Sequence, residues 1–173
     1  GPPGCGKTTL ARIYATAVGA EFHELSAVDS GKDDIRRVIG PGSLLSQKPK
    51  VLFIDEIHRF NKAQQDFLLP FVERGDIALI GATTENPSFE VISPLLSRCR
   101  VFVLNELSDA DIEKVIARTK LKVPKAARQW LTNLAQGDAR QAITVLETAM
   151  RLYGSVSVDT LQEAIQSKHL RYD

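Results

Sequence analysis

The chain has 173 residues, 43% hydrophobic and 25% charged, with 6% aromatic, which is the composition of a globular protein. Its net charge of +1 excludes a global basic field, so nucleic-acid binding would need a local patch or several copies acting together. Two cysteines, Cys5 and Cys99, are too few for a disulfide framework and lack metal-ligand spacing, and no apolar run reaches the ~18 residues of a spanning helix. A reducing compartment, cytosolic or nuclear, is expected, with no membrane partner.

The sequence opens on "GPPGCGKTTLARIYATAVG", where Leu10, Ile13, Tyr14 and Ala17 keep helical spacing from Lys7 and Gly19 is a natural stop. "EFHEL" (21–25) reads as a short strand. Ser30 and Asp33 are candidate caps for a helix through "DDIRRVI", which "GPG" at 40–42 should end. "VLFID" (51–55) is an unbroken β-branched and aromatic run, the pattern of a strand buried on both faces in a parallel sheet. "NKAQQDFLLPFVERG" predicts a helix ending at Gly75, with an irregularity at Pro70, and "IALIGA" (77–82) predicts another buried strand. Ser93 followed by Pro94 starts one short helical turn, and "VFVL" (101–104) is the last strand signal. Beyond Leu104 the character changes. "LSDADIEKVIARTK", "PKAARQWLTNLAQG", "DARQAITVLETAMRLYG" and "VDTLQEAIQSKHL" are amphipathic helical patterns with caps and terminal glycines. Strands alternating with helices and then helices alone predict an α/β domain over 1–105 and a small helical domain over 106–173.

Gly1, Gly6, Lys7 and Thr8 satisfy G-x-x-x-x-G-K-[ST]. A phosphate needs backbone N–H donors brought close by a glycine-rich turn, the positive end of a helix, a lysine for the outer phosphates and a hydroxyl for Mg²⁺. Asp55 at the carboxyl end of a buried strand suits Mg²⁺, and Glu56 directly after it points elsewhere, toward an attacking water. An acid that polarises water argues for hydrolysis rather than transfer to another acceptor. Thr83 and Thr84 end the next strand and offer hydroxyls for a γ-phosphate or a water. Arg98 and Arg140 are candidates for the positive charge that a breaking γ-phosphate bond needs. Arg100, already entering the strand, reads as a solvated or salt-bridged residue. His58, Arg59 and Lys62 follow the Asp-Glu pair and are the candidate DNA contacts.

In this order the phosphate loop (1–8), Asp55-Glu56, Thr84, "SRC" (97–99) and "GDAR" (137–140) resemble the AAA+ ATPases. "SRC" is similar to the clamp-loader motif whose arginine acts on ATP held by a neighbouring subunit, and "IGATT" looks like the branch-migration motor RuvB. "FIDEIHRFNKAQQD", "GATTENPSFEV" and "LLSRCRV" resemble most narrowly the replication-associated recombination ATPases, which include the Werner helicase-interacting protein. The resemblance implies an α/β P-loop core with a parallel sheet followed by an all-helical lid. It implies that Gly1, Pro2, Gly4, Cys5, Gly6, Lys7, Thr8, Thr9 and Asp55 bind ATP, with Thr8 and Asp55 holding Mg²⁺, the latter through water, and Cys5 only filling space. Glu56 would activate water, Thr84 and Arg140 would be the first and second sensors, and Arg98 a finger supplied in trans. It further implies a homo-oligomer, a tetramer in that family, that acts on single-stranded DNA or duplex ends with single-stranded DNA-binding protein. The location would be the bacterial cytoplasm, at the nucleoid, or the eukaryotic nucleus. A clamp-loader-type subunit and a weakly hydrolysing interaction scaffold are the alternatives. Family members carry a strand before the phosphate loop and an oligomerising helical domain after the lid. Neither lies in this sequence, and the loops at 40–49 and 119–124 are short, so a fragment with negligible hydrolysis of its own is expected.

Overall fold

The computed structural model describes residues 1–39 and 48–169, and they form two compact units. The first takes in Gly6–Val103 and Gly1, and the second takes in Leu104 onward together with Pro2–Cys5.

In the first unit, helix α1 (Lys7–Ala17) leads to strand β1 (Glu21–Ser26), helix α2 (Lys32–Ile39), strand β2 (Lys50–Asp55), helix α3 (Lys62–Glu73) and strand β3 (Ala78–Gly81). The three strands pair in the order β1-β2-β3, all parallel, with Ser26 opposite Asp55 and Ile54 opposite Gly81. The run at 51–55 reads as it does because β2 is covered on both faces, with Val51, Leu52, Phe53 and Ile54 all fully buried. Side chains alternate across a strand. Phe53 therefore joins Ala11 of α1, and Leu52 and Ile54 join Ile35, Leu68 and Leu95 on the other face. Each such fully buried aliphatic side chain contributes about 1.5–3 kcal/mol by leaving water. Lys50 at the head of β2 is also buried and donates from Nζ to the Val38 carbonyl at 3.0 Å.

Short helices α4 (Pro87–Glu90) and α5 (Ser93–Leu96) follow, and α5 is the turn expected from Ser93-Pro94. Gln65 of α3, only 2% exposed, ties this region down. Its amide donates to the Phe60 and Glu90 carbonyls at 2.9 and 3.0 Å, and its oxygen accepts from the Ile92 N–H at 2.9 Å. Helix α3 starts on a capping box: Asn61 accepts from the Gln64 N–H and Gln64 from the Asn61 N–H, both at 2.9 Å. The helix runs on past Pro70 to Glu73.

Three expectations need correcting. The segment 101–104 is not a strand; Val101, Phe102 and Val103 are 51%, 74% and 79% exposed and have no ladder partner among the described residues, and β-branched sequence alone supplies none. The strand expected to be buried over 77–82 is not buried along its length: in β3 Ala78 and Gly81 are exposed and Leu79 and Ile80 half-buried, because among the described residues it pairs with β2 alone. Helix α1 forms as expected, buried through Ala11 and Ala15 with Leu10, Ile13 and Tyr14 facing outward. At the start of α2 it is Asp34 that accepts from the Gly31 N–H, at 2.8 Å, while Asp33 turns to Arg36 at 2.7 Å. The expected stop at 40–42 and most of the loop at 40–49 lie outside the described residues.

The second unit contains α6 (Asp109–Arg118), α7 (Lys125–Ala135), α8 (Ala139–Tyr153) and α9 (Val158–His169). They close around Ile112, Ile116, Leu131, Leu146 and Leu161, all fully buried. Ser108 caps α6 and Asp138 caps α8, accepting from Asp111 and Gln141 N–H groups respectively. Gly154 ends α8 in the left-handed conformation, φ 69°.

Candidate nucleotide site

Parallel strands all present their carboxyl ends on one side, so Asp55-Glu56 and Ala82–Thr84 emerge together. Backbone bonds fasten these ends: the Ala82 N–H donates to the Ile54 carbonyl at 2.9 Å and the Ile57 N–H to the Ala82 carbonyl at 3.0 Å. Gly1 and Lys7, the two ends of the phosphate motif within the first unit, arrive at the same place, because the Gly1 nitrogen donates to the Thr83 carbonyl at 2.8 Å and Lys7 Nζ to the Gly1 carbonyl at 2.8 Å.

The loop has the conformation an anion cradle needs. Gly4 and Gly6 have φ of 64° and 92°, the left-handed region that glycine enters without steric cost. Gly6 stands at the N-cap of α1 without a capping side chain, and the first turn carries no acidic residue. The amides opening that helix therefore have no capping carboxylate of the helix's own, and the helix dipole adds positive potential there. Within the second unit Gly4 packs against Asp138 so tightly that a Cβ would stand 1.8 Å from Oδ1, which leaves no room for any other residue. Cys5 is half-buried, with Sγ 3.1 Å from the Pro2 carbonyl, as a filler would be.

Asp55 and Glu56 are half-buried. Asp55 Oδ1 accepts the Glu56 N–H at 3.1 Å, and Glu56 takes φ 52°, an uncommon conformation for a residue with a Cβ. Strain of this kind gathers at functional sites. No cluster of three or more His, Cys, Asp or Glu among the described residues could hold a metal by itself. Thr8 and Asp55 fit Mg²⁺ only where phosphate oxygens complete its shell, which is the way this hard cation is usually bound.

Thr84 is exposed at the tip of the strand end, and Thr83 beside it is half-buried. Thr83 Oγ1 accepts the Glu85 N–H at 2.9 Å and lies 3.0 Å from His58 Nδ1. His58 is thus occupied on its inner side, while Arg59 and Lys62 are exposed. Arg98 is engaged within its own chain: Nη2 pairs with Glu73 of α3 at 2.6 Å, and Nη1 donates to the Pro94 carbonyl at 2.7 Å and Ser97 Oγ at 3.2 Å. Cys99 beside it is exposed as a residue, but partial burial pushes its thiol pKa up, away from thiolate reactivity. Arg140 is exposed in the first turn of α8, in the second unit. The sequence reading overlooked Glu73, Gln65 and the role of Thr83; Glu73 and Gln65 carry no motif, and Arg98 for the one and Glu90 and Ile92 for the other lie 25 or more residues away.

Residues 1–107 match the family model of the ATPase family associated with various cellular activities (AAA), and residues 117–173 match that of the AAA C-terminal domain. The ATPase WRNIP1 of Dictyostelium discoideum is 47% identical over 181 residues, taking in 98% of this chain and 20% of that protein. A replication-associated recombination protein A of Coxiella burnetii is 46% identical over 158 residues, 85% of this chain and 36% of its own. The chain therefore spans well under half the length of these relatives. The solved structure of the Thermotoga maritima RuvB Holliday junction branch migration motor superposes with a TM-score of 0.73 at 28% identity, over 96% of this chain and 59% of that one. With its phosphate loop and acidic strand end inside the matched segment, the chain belongs to the AAA family of ATPases.

Proposed function

We propose that this chain is the core and lid of an oligomeric, DNA-dependent ATPase that converts ATP to ADP and phosphate while maintaining or rescuing stalled replication forks. The observation that carries the reading is the meeting of the uncapped α1 N-terminus, with its left-handed glycines, and Asp55-Glu56 at one end of a parallel sheet. Relatives named for replication-associated recombination supply the biological setting.

In this reading the amides of the loop from Gly1 to Gly6, Pro2 and Cys5 included, and those of Lys7, Thr8 and Thr9 bind the phosphates, with Lys7 Nζ on the outer ones. Thr8 and Asp55 hold Mg²⁺, which when bound neutralises phosphate charge. Glu56 takes a proton from the attacking water, Thr84 orients that water or the γ-phosphate, and Arg140 senses the nucleotide from the lid. Arg98 leaves Glu73 to meet the γ-phosphate held by a neighbouring copy. Arg59 and Lys62 face DNA, and the assembly is a tetramer that engages single-stranded DNA or duplex ends together with single-stranded DNA-binding protein. The core spans 1–105 and the lid 106–173, and the place of work is the bacterial cytoplasm or the eukaryotic nucleus.

The test mixes a full-length Arg98→Ala protein with a full-length Lys7→Ala protein, each inactive alone. Recovered ATP turnover on mixing is the expected result. A mixture that stays inactive while both variants assemble would refute the finger in trans.

A further inference from the structure

The left-handed backbone of Glu56 is unfavourable for a residue with a Cβ, so the surrounding structure must hold it. On one side Asp55 Oδ1 accepts the Glu56 N–H at 3.1 Å. On the other the Arg59 N–H donates to the Glu56 carbonyl at 2.8 Å, closing the single 3₁₀ turn Ile57–Arg59. Two side chains of that turn reach out of it to the neighbouring strand end: Ile57, which packs against Gly81, and His58, whose Nδ1 shares a hydrogen bond with Thr83 Oγ1 at 3.0 Å, across 25 residues of sequence. The Thr83 hydroxyl also accepts the Glu85 N–H at 2.9 Å, so it closes the turn around Thr84. Ile57 is buried against Gly81 and donates its N–H to the Ala82 carbonyl at 3.0 Å, which sets the distance between the two strand ends. The His58 bond is the polar side-chain link between them among the described residues.

We propose that His58 is a positioning residue, whose bond to Thr83 holds Glu56 in its left-handed conformation and sets Thr84 opposite it. The proposal rests on the ATPase reading, in which Glu56 and Thr84 act on the γ-phosphate and its attacking water. It gives His58 a task different from DNA contact, since its Nδ1 is already engaged by Thr83. The half-buried setting of both partners shields the bond from competing water.

The experiment uses full-length protein. His58→Ala and Thr83→Val should each lower kcat by about 10- to 100-fold, as misplacement of a catalytic group by about an ångström does. KM for ATP should change less than about twofold and single-stranded DNA binding should be unaltered, because uniform binding is untouched. The double variant should be no slower than either single one, since both remove the same bond. His58→Asn, which can place an amide where Nδ1 stands, should recover most of the rate. Unchanged kcat in both single variants, multiplicative losses in the double, or a His58→Ala defect confined to DNA binding would each overturn the proposal. If the full-length protein turns over no ATP, or Glu56→Gln does so at the wild-type rate, the reading of the site on which the proposal rests fails instead, and the two failures are thereby told apart.

Discussion

Gln65→Leu removes the buried amide that joins α3 to the segment leading into α5. Leucine nearly matches the volume, so no large cavity forms, and the cost is that of the groups left behind. These are the Phe60 carbonyl in a buried bond, and the Glu90 carbonyl and Ile92 N–H in partly buried ones. An unsatisfied buried group costs about 1–3 kcal/mol, and less where water can reach it, so a total of roughly 3–5 kcal/mol is expected. That is a large part of the ~5–15 kcal/mol that holds a typical domain together. Urea denaturation followed by far-UV circular dichroism measures the loss. Amide exchange at Ile92, whose N–H loses its acceptor, should quicken by roughly 150- to 5000-fold where opening is global. A loss below about 1 kcal/mol with unchanged exchange at Ile92 would refute the reasoning, because the three bonds would then carry no net stability.

Gly4→Ala places a methyl group 1.8 Å from Asp138 Oδ1 at φ 64°, so about 1–2 kcal/mol of left-handed strain joins about 1 kcal/mol from the displaced cap of α8. Fluorescence of Trp130, the only tryptophan and a member of the second unit's core, should report the weakened lid in urea, and a Gly4→Ala/Asp138→Gly pair should be less than additive. The Asp111 carboxyl is held below its ordinary value, first by the Ser108 hydrogen bond and then by Lys114. A depressed folded-state pKa gives stability that is present above the unfolded value of ~3.9 and is lost as pH falls through the folded one. Asp111→Asn should therefore flatten the acid side of the thermal-stability profile, lowering the plateau above the acid range and meeting the wild-type curve at low pH.

Features that depend on neighbours in sequence were legible without coordinates. The phosphate loop, the α3 start at Asn61, the turn at Ser93-Pro94 and the four helices of the second unit follow from local geometry, from glycines that accept left-handed backbone and from caps three residues apart. The buried run at 51–54 was legible because a strand covered on both faces loses its polar alternation. What depended on distant partners was not. A strand at 101–104 needs a ladder, which composition cannot supply, and the outward stripe on α1 cannot be told from an inward one without knowing which face meets the sheet. At the site, residue types were readable and their attachments were not. His58 was visible as a candidate DNA contact near the acids and proved to be bonded to Thr83, and Arg98 was visible as a candidate finger but not as a partner of Glu73.

The ion pair between Arg98 and Glu73 bears on which anions the arginine will accept. Both terminal nitrogens of its fork already rest on oxygens of the same chain, so an incoming anion must displace ligands rather than fill a vacancy. The pair is exposed, and such pairs hold by no more than about 1 kcal/mol, so displacement is easy for a strong competitor. Chloride, singly charged and spherical, gains little over a carboxylate that already fits the fork. A terminal phosphate, with more charge on oxygens of matching geometry, gains a great deal. In the proposed reading Glu73 thereby makes the surface arginine a threshold device, one that yields to concentrated negative charge.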